Sequence, residues 1–141
     1  MTTMTSGPVA GVSSSQVGRL FLRLLRREVP LLSKALRVLL GSDIYCRVPA
    51  TTLLPHPYGI VMHPDVTLGE HVVVMHQVTV GQVHPADVRV PTIGDGVYLG
   101  AGAKILGPIT VGAGALVGAN AVVTRDIPAG VTVVGANRIL P

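Results

Sequence analysis

From residue 60 onward the chain repeats with a period of six. A medium-sized aliphatic residue recurs at Met62, Leu68, Val74 and Val80, and the series resumes at Ile93, Leu99, Ile105, Val111, Val117 and Val123. Two positions ahead of these markers a second small or aliphatic residue recurs: Val66, Val72, Val78, Val97, Ala103, Ile109, Ala115 and Ala121. Glycine often follows the marker, as at Gly69, Gly81, Gly94, Gly100, Gly112 and Gly118. A period of six fits neither the 3.6 of a helix nor the 2 of a long strand. It predicts a solenoid of short strands joined by tight turns, with the markers stacked inside, coil upon coil. The glycines beside them are expected to let the chain turn in conformations that other residues resist. Each inward aliphatic contributes about 1.5–3 kcal/mol on burial, so Val111→Phe or Val117→Arg is expected to destroy folding.

The register breaks once. Val80 and Ile93 are thirteen positions apart, not a multiple of six, so residues 82–92 form an excursion from the coil. Insertions in a solenoid emerge as loops, often on the binding face. Ahead of the repeat, residues 16–42 carry a different period. Val17, Leu20, Phe21, Leu24 and Leu25, then Leu32, Ala35, Leu36 and Leu39, have helical spacing. Ser15 is a plausible N-cap and Gly41 a plausible stop, and Pro30 should split the segment into two short helices. Residues 1–15 are small and polar with Gly and Pro, and read as a flexible tail. The expected organisation is therefore tail 1–15, amphipathic helical segment 16–42 and repeat domain 43–141.

Composition narrows the chemistry. Of 141 residues 48% are hydrophobic, but only 3% are aromatic and Trp is absent, which suits a narrow interior filled by Val, Ile, Leu and Ala. The single cysteine, Cys46, excludes an internal disulfide framework and a cysteine-based structural zinc site, and reads as a small packing residue. The net charge of +4 is unevenly placed. Arg19, Arg23, Arg26, Arg27, Lys34 and Arg37 face only Glu28 in residues 1–42, whereas residues 43–141 hold five basic and six acidic residues. A nearly neutral repeat domain with few rings argues against a nucleic-acid platform. No apolar run reaches the roughly 20 residues of a membrane span. The arginines interrupt the apolar positions, so the helical segment is not a signal peptide. It is expected to pack on the body or a neighbouring subunit with its arginines in solvent. A cytoplasmic location is the matching expectation.

The hexad repeat is the signature of left-handed β-helix acyltransferases. The runs HPYGIV, VTVG, GDGVYLGAGAKILGPITVGAGALVGANAVV and the terminal GANRI resemble serine O-acetyltransferase over about residues 43–140. The resemblance implies a mainly β fold, a left-handed parallel β-helix with a short N-terminal helical segment, acetyl-CoA as donor and a role in cysteine biosynthesis. It also implies a homotrimer whose active sites lie between subunits. Residue by residue it marks His56 as the general base that deprotonates the acceptor hydroxyl. His56 stands six before Met62, in phase with the markers. A neutral imidazole near pKa 6.5 suits that task. Asp43, upstream, matches the aspartate that orients the base. Arg89, in the insertion, matches an arginine able to grip an acceptor carboxylate bidentately. Gly81, Gly100 and Ala101 match the small residues along which coenzyme A lies, although hexad geometry alone would also place Gly at 81 and 100.

Two departures bear on the acceptor. Val90 stands where the family has a second histidine, and Pro55 where it has an aspartate before the base. Acetyl transfer tolerates these changes better than the choice of serine does. His84, on the same loop, is a candidate to replace the missing polar group. The acceptor therefore stays open between L-serine, a related amino alcohol, a sugar and a specialised metabolite. Two other classes compete. Carbonic anhydrases of the γ type share the fold, and His71 and His76 have the five-residue spacing of zinc ligands there, without a third histidine at the required upstream distance. A non-catalytic scaffold would use the repeat for assembly alone and would not bind acetyl-CoA.

Overall fold

The computed structural model describes residues 11–27 and 29–141, and in it the six-residue period closes into a three-sided prism. After β1 (Asp43–Ile44) each coil adds one short strand to each side: β2 (Val61–Met62), β3 (Thr67–Leu68) and β4 (Val73–Val74), then β5 (Thr79–Gly81), β6 (Thr92–Ile93) and β7 (Tyr98–Leu99), then β8 (Lys104–Leu106), β9 (Thr110–Val111) and β10 (Leu116–Val117). The last coil holds β11 (Val122–Val123), β12 (Thr132–Val134) and β13 (Arg138–Ile139). The first side runs β1-β2-β5-β8-β11, the second β13-β12-β10-β7-β4 and the third β3-β6-β9. All neighbours pair in parallel except β12 and β13, where the chain folds back on itself. This is a left-handed β-helix.

Every marker from Met62 to Val123 points inward and is buried, as are the secondary positions Val66 to Ala121. Beyond Val123 the phase slips by two. Ile127 takes the next inward place, bridging to Val111, and Val133 the one after. The glycines that follow the markers are there for a different reason than expected. None of them has a positive φ. A Cβ on Gly94 would lie 2.7 Å from Ala113 N, and one on Gly100 2.6 Å from the Val117 carbonyl oxygen. They let successive coils stack at close range. The left-handed backbone sits two residues further on, at Gly96, Gly102 and Gly114, and at His71, Gln77 and Asn120, which are not glycine.

The N-terminal segment forms α1 (Gln16–Arg26) and α2 (Pro30–Leu40). Ser15 caps α1 by accepting the Gly18 N–H at 3.0 Å, Pro30 opens α2, and Gly41 ends it with φ 58°. Phe21 and Leu22 join the core of the body and Leu24 is also buried, while Arg19, Arg23, Arg26 and Arg27 face outward. α2 lies on the outside, with Leu31, Leu32, Ala35, Val38 and Leu39 uncovered. The tail expected over residues 1–15 falls mostly outside the described residues. Ser14, within it, is buried and accepts the Leu54 N–H at 2.9 Å.

Candidate functional site

The turn that carries His56 is longer than those stacked on it. Leu53 bridges Val73, twenty residues on, whereas Val61 pairs with Thr79, eighteen on. Two extra residues are therefore accommodated between Leu54 and Val61. Leu54 fills the core, and His56 is pushed out to solvent. His56 is thus not an inward marker, although it stands six before Met62. The extra length is compatible with a fixed geometry because the turn is stitched down. The fully buried Ser42 hydroxyl donates to the Pro57 carbonyl at 2.8 Å and accepts the Ile60 N–H at 3.0 Å. Tyr58 N–H donates to the His56 carbonyl, Gly59 N–H to Leu40, and Gln77 N–H to Tyr58, all within 3.0 Å. Gly18 of α1 presses on the segment from behind, since a Cβ there would meet the Leu54 carbonyl oxygen at 2.1 Å. Sequence reasoning missed Ser42, Ser14 and Gly18. A serine directly after a helix-ending glycine was the available signal for Ser42.

His56 lies on the edge where the second side passes into the first. The equivalent positions on later coils are His76, Ala101 and Ala119, each two residues beyond an inward side chain. Gly102 N–H donates to the His76 carbonyl at 2.9 Å and Asn120 N–H to Ala101 at 2.8 Å, which locks the edge into a ladder. Gly100 and Ala101 therefore share an edge with His56, but the packing just described is sufficient reason for a glycine at 100.

The other expected site residues gather elsewhere. Gly81, His84 and Arg89 belong to the edge where the first side passes into the third, from which the insertion emerges. A groove of about 410 Å³ there is lined by Asp43, Tyr45, His63, Gly81, Gln82 and His84, among others. Its size suits a small ligand. Unlike Gly100, Gly81 is not demanded by the fold: a Cβ there would meet only the His63 Cβ, at 3.7 Å. Its missing side chain leaves the groove wall open. Arg89 is exposed and already engaged, its Nε and Nη2 donating to the two Asp87 carboxylate oxygens at 2.9 and 3.0 Å. That pairing holds the Asp87 carboxyl below its ordinary pKa. The His84 Nδ1 accepts the Ala86 N–H at 3.1 Å within the same exposed loop.

Asp43 and His56 are not joined by a hydrogen bond among the described residues. The Asp43 carboxylate faces the Tyr45 hydroxyl at 3.5 Å, and the Tyr45 ring lies under the Arg37 guanidinium at 4.4 Å. His71 and His76 sit at successive corners of one coil, separated by β4, and the described residues hold no cluster of three or more His, Cys, Asp or Glu able to bind a metal ion. Cys46 is buried with its Sγ 3.8 Å from the Met62 Sδ, and burial pushes its thiol pKa up to about 11.

Comparison with known proteins agrees with this architecture. Residues 91–125 match the family model of the bacterial transferase hexapeptide (six repeats). The serine acetyltransferase of Mycobacterium tuberculosis is 40% identical over 102 residues, covering 70% of this chain and 44% of the relative. That of Helicobacter pylori strain J99 is 39% identical over 108 residues, covering 74% and 63%. Among solved structures, the Neisseria gonorrhoeae serine acetyltransferase in complex with serine superposes with a TM-score of 0.69 at 36% identity, covering 89% of this chain and 54% of that one. The Brucella abortus serine acetyltransferase in complex with coenzyme A gives 0.72 at 32%, covering 89% and 53%. The chain spans less than two thirds of the length of each of these relatives. Its repeat and its coil geometry mark a hexapeptide-repeat domain, with a β-helix similar to that of the serine acetyltransferases.

Proposed function

We propose that the protein is an acetyl-CoA-dependent O-acetyltransferase acting on L-serine or a related small hydroxyl acceptor, with His56 as general base. The observation that carries the reading is the placement of His56: a solvent-facing imidazole on a rigidly stitched turn, sharing its edge with the small residues Gly100 and Ala101. A hydroxyl is a poor nucleophile at neutral pH. His56 takes its proton as the oxygen attacks the thioester carbonyl carbon. Collapse of the tetrahedral intermediate breaks the C–S bond, and the imidazolium returns the proton to the departing thiolate. Asp43 is the orienting carboxylate in this scheme, and its contact with Tyr45 must give way for it to reach His56.

His56 and the groups for the acceptor, Arg89 and His84, lie on different edges. One subunit cannot bring them together, which supports a homotrimer in which the insertion edge of one copy meets the His56 edge of the next. Gly81 then lines the donor's path from the insertion side. A cytoplasmic setting, where acetyl-CoA is abundant, fits this chemistry. Among the described residues no helix is long and apolar enough to cross a membrane.

A second reading has its own support. Arg89 is held by Asp87, Val90 and Pro55 are not polar, and so an acceptor without a carboxylate, such as a sugar, is the alternative. An acceptor panel incubated with acetyl-CoA, read by free thiol release, separates them. Acceptor-dependent release with serine is expected. Release with sugars only selects the second reading, and no binding of acetyl-CoA at all overturns both in favour of a scaffold.

A further inference from the structure

The edge that carries His56 holds a second imidazole that the proposed chemistry leaves unused. His76 occupies the equivalent position one coil on, and the two rings meet nearly at right angles, 80° between planes and 5.9 Å between centroids. The His76 Nδ1 is buried and has no hydrogen-bond partner. In a neutral imidazole one nitrogen carries the proton and the other a lone pair. An orphaned buried N–H is rarer and more costly than an under-satisfied acceptor. The tautomer with Nδ1 bare and the proton on Nε2 is the one that leaves no buried donor unpaired at that atom.

We infer that His76 is a positioning residue for His56: its bare Nδ1 accepts the His56 ring N–H that points away from the acceptor, leaving the other His56 nitrogen free to act as base. The inference rests on the role proposed for His56. Distance and anchoring support it. An N–H···N bond of ordinary length between two imidazoles places their centroids roughly 5 Å apart, so an approach of about 1 Å with a turn about the soft χ2 torsion completes the contact. Such bonds are often long in ligand-free enzymes and tighten when substrate binds. The His76 backbone is fixed for the purpose. Its carbonyl accepts the Gly102 N–H, the Gln77 N–H donates to Tyr58, and the Lys104 ammonium donates to the Gln77 carbonyl at 2.6 Å. The other candidate for that N–H, Asp43, is occupied with Tyr45, so in this inference His76 takes the orienting place that the proposed scheme gave to Asp43.

Two variants of the full chain separate a lone-pair role from mere packing. His76→Phe keeps a ring against His56 and removes the acceptor nitrogen. His76→Asn removes the ring and keeps an acceptor near the place of Nδ1. Expected is a loss of about tenfold or more in kcat for His76→Phe, comparable to that for outer-shell partners of metal-bound histidines, with KM for acetyl-CoA little changed, and recovery of most of the rate in His76→Asn. A long-range ¹H–¹⁵N correlation spectrum of the ligand-free parent is expected to show His76 unprotonated at Nδ1, with the His56 signals displaced in His76→Phe. Parent-like kcat in His76→Phe, equal losses in both variants, or a protonated Nδ1 each overturns the inference. A parent that releases no thiol with any acceptor overturns the proposed function instead, and the spectrum still decides the state of His76.

Discussion

The two edges of the prism are built in opposite ways. The edge bearing His56 is tied at nearly every residue: Ser42 holds the turn from inside, Gly18 of α1 and Ser14 just ahead of its cap brace it, and the coils above lock His76 and Ala101 in a backbone ladder. The insertion edge makes its side-chain bonds with itself, Arg89 to Asp87 and Ala86 N–H to His84, and Val83, His84, Val88 and Arg89 are exposed. A general base must hold one geometry to within fractions of an ångström, whereas acceptor selection tolerates and exploits an adaptable loop. Under the proposed function, chemistry and specificity are thereby separated in the fold, one on scaffold and one on insertion.

The most damaging change attacks what both edges share. Val117 is fully buried in the thin interior, and Val117→Arg would bury an unpaired charge with no room to reach solvent. Loss of the folded state is expected, seen as loss of the β signal in far-UV circular dichroism and as aggregated material in gel filtration. A folded Val117→Arg protein would mean that the interior is not the single core on which the two edges rest.

The next test sets the edges against each other. His56→Ala should lower kcat by about two to four orders of magnitude while leaving Tm and acetyl-CoA binding nearly unchanged, because His56 is exposed. Arg89→Ala should chiefly raise the acceptor KM. Asp87→Asn sharpens this further. The Asp87 pKa is lowered by Arg89, so the pair persists as pH falls until below the ordinary carboxylate value of about 4. A carboxylate-bearing acceptor must therefore compete with Asp87 throughout the neutral range. Freeing Arg89 should lower KM severalfold for serine and leave it unchanged for a sugar. An Arg89→Ala enzyme that loses kcat alone would place catalysis on the loop and dissolve the division.

Ser42→Ala probes the stitching itself. It leaves the Pro57 carbonyl and the Ile60 N–H unpaired in the interior, at a cost of about 1–3 kcal/mol. The expected result is a lower denaturation midpoint together with a fall in kcat, since the loosened turn is the one that presents His56. A stability loss with kcat intact would show that the turn holds its shape without the serine.

How much of this was legible beforehand divides along the same line. The inward residues could be read because a solenoid repeats one steric demand at fixed intervals, and each marker from Met62 to Val123 answers it. The slip to Ile127 escaped because Thr-Arg-Asp-Ile-Pro carries only one inward residue, too few to reset a phase. The true reason for Gly94 and Gly100 escaped because close stacking and backbone turning both favour glycine, and only coordinates distinguish them. His56 was singled out through its family motif but placed in the marker phase, since two extra residues in its turn are invisible until the flanking strands are paired. The nearness of His76 was hidden for the same reason: twenty residues separate it from His56, where the repeat leads one to expect eighteen.

Cys46 makes the smallest prediction and the cleanest separation of site from scaffold. It lies under the first side, close in sequence to Asp43, and its chemistry follows from burial alone. Desolvation raises its pKa to about 11, partly offset by a backbone hydrogen bond. At pH 8 the thiolate is scarce and shielded, so a disulfide reagent should leave the folded protein unlabelled and react with one thiol after denaturation. The sign for stability follows. The folded state binds the thiol proton more tightly than the unfolded chain, so nothing is lost below about pH 9, and stability falls as pH rises from there toward 11. The full loss is on the order of 2–3 kcal/mol. Cys46→Ala should flatten that alkaline decline while leaving turnover at neutral pH unchanged. Rapid labelling of the native protein at pH 8, with parallel loss of activity, would instead put the thiol in contact with the groove and extend the site beneath the first side.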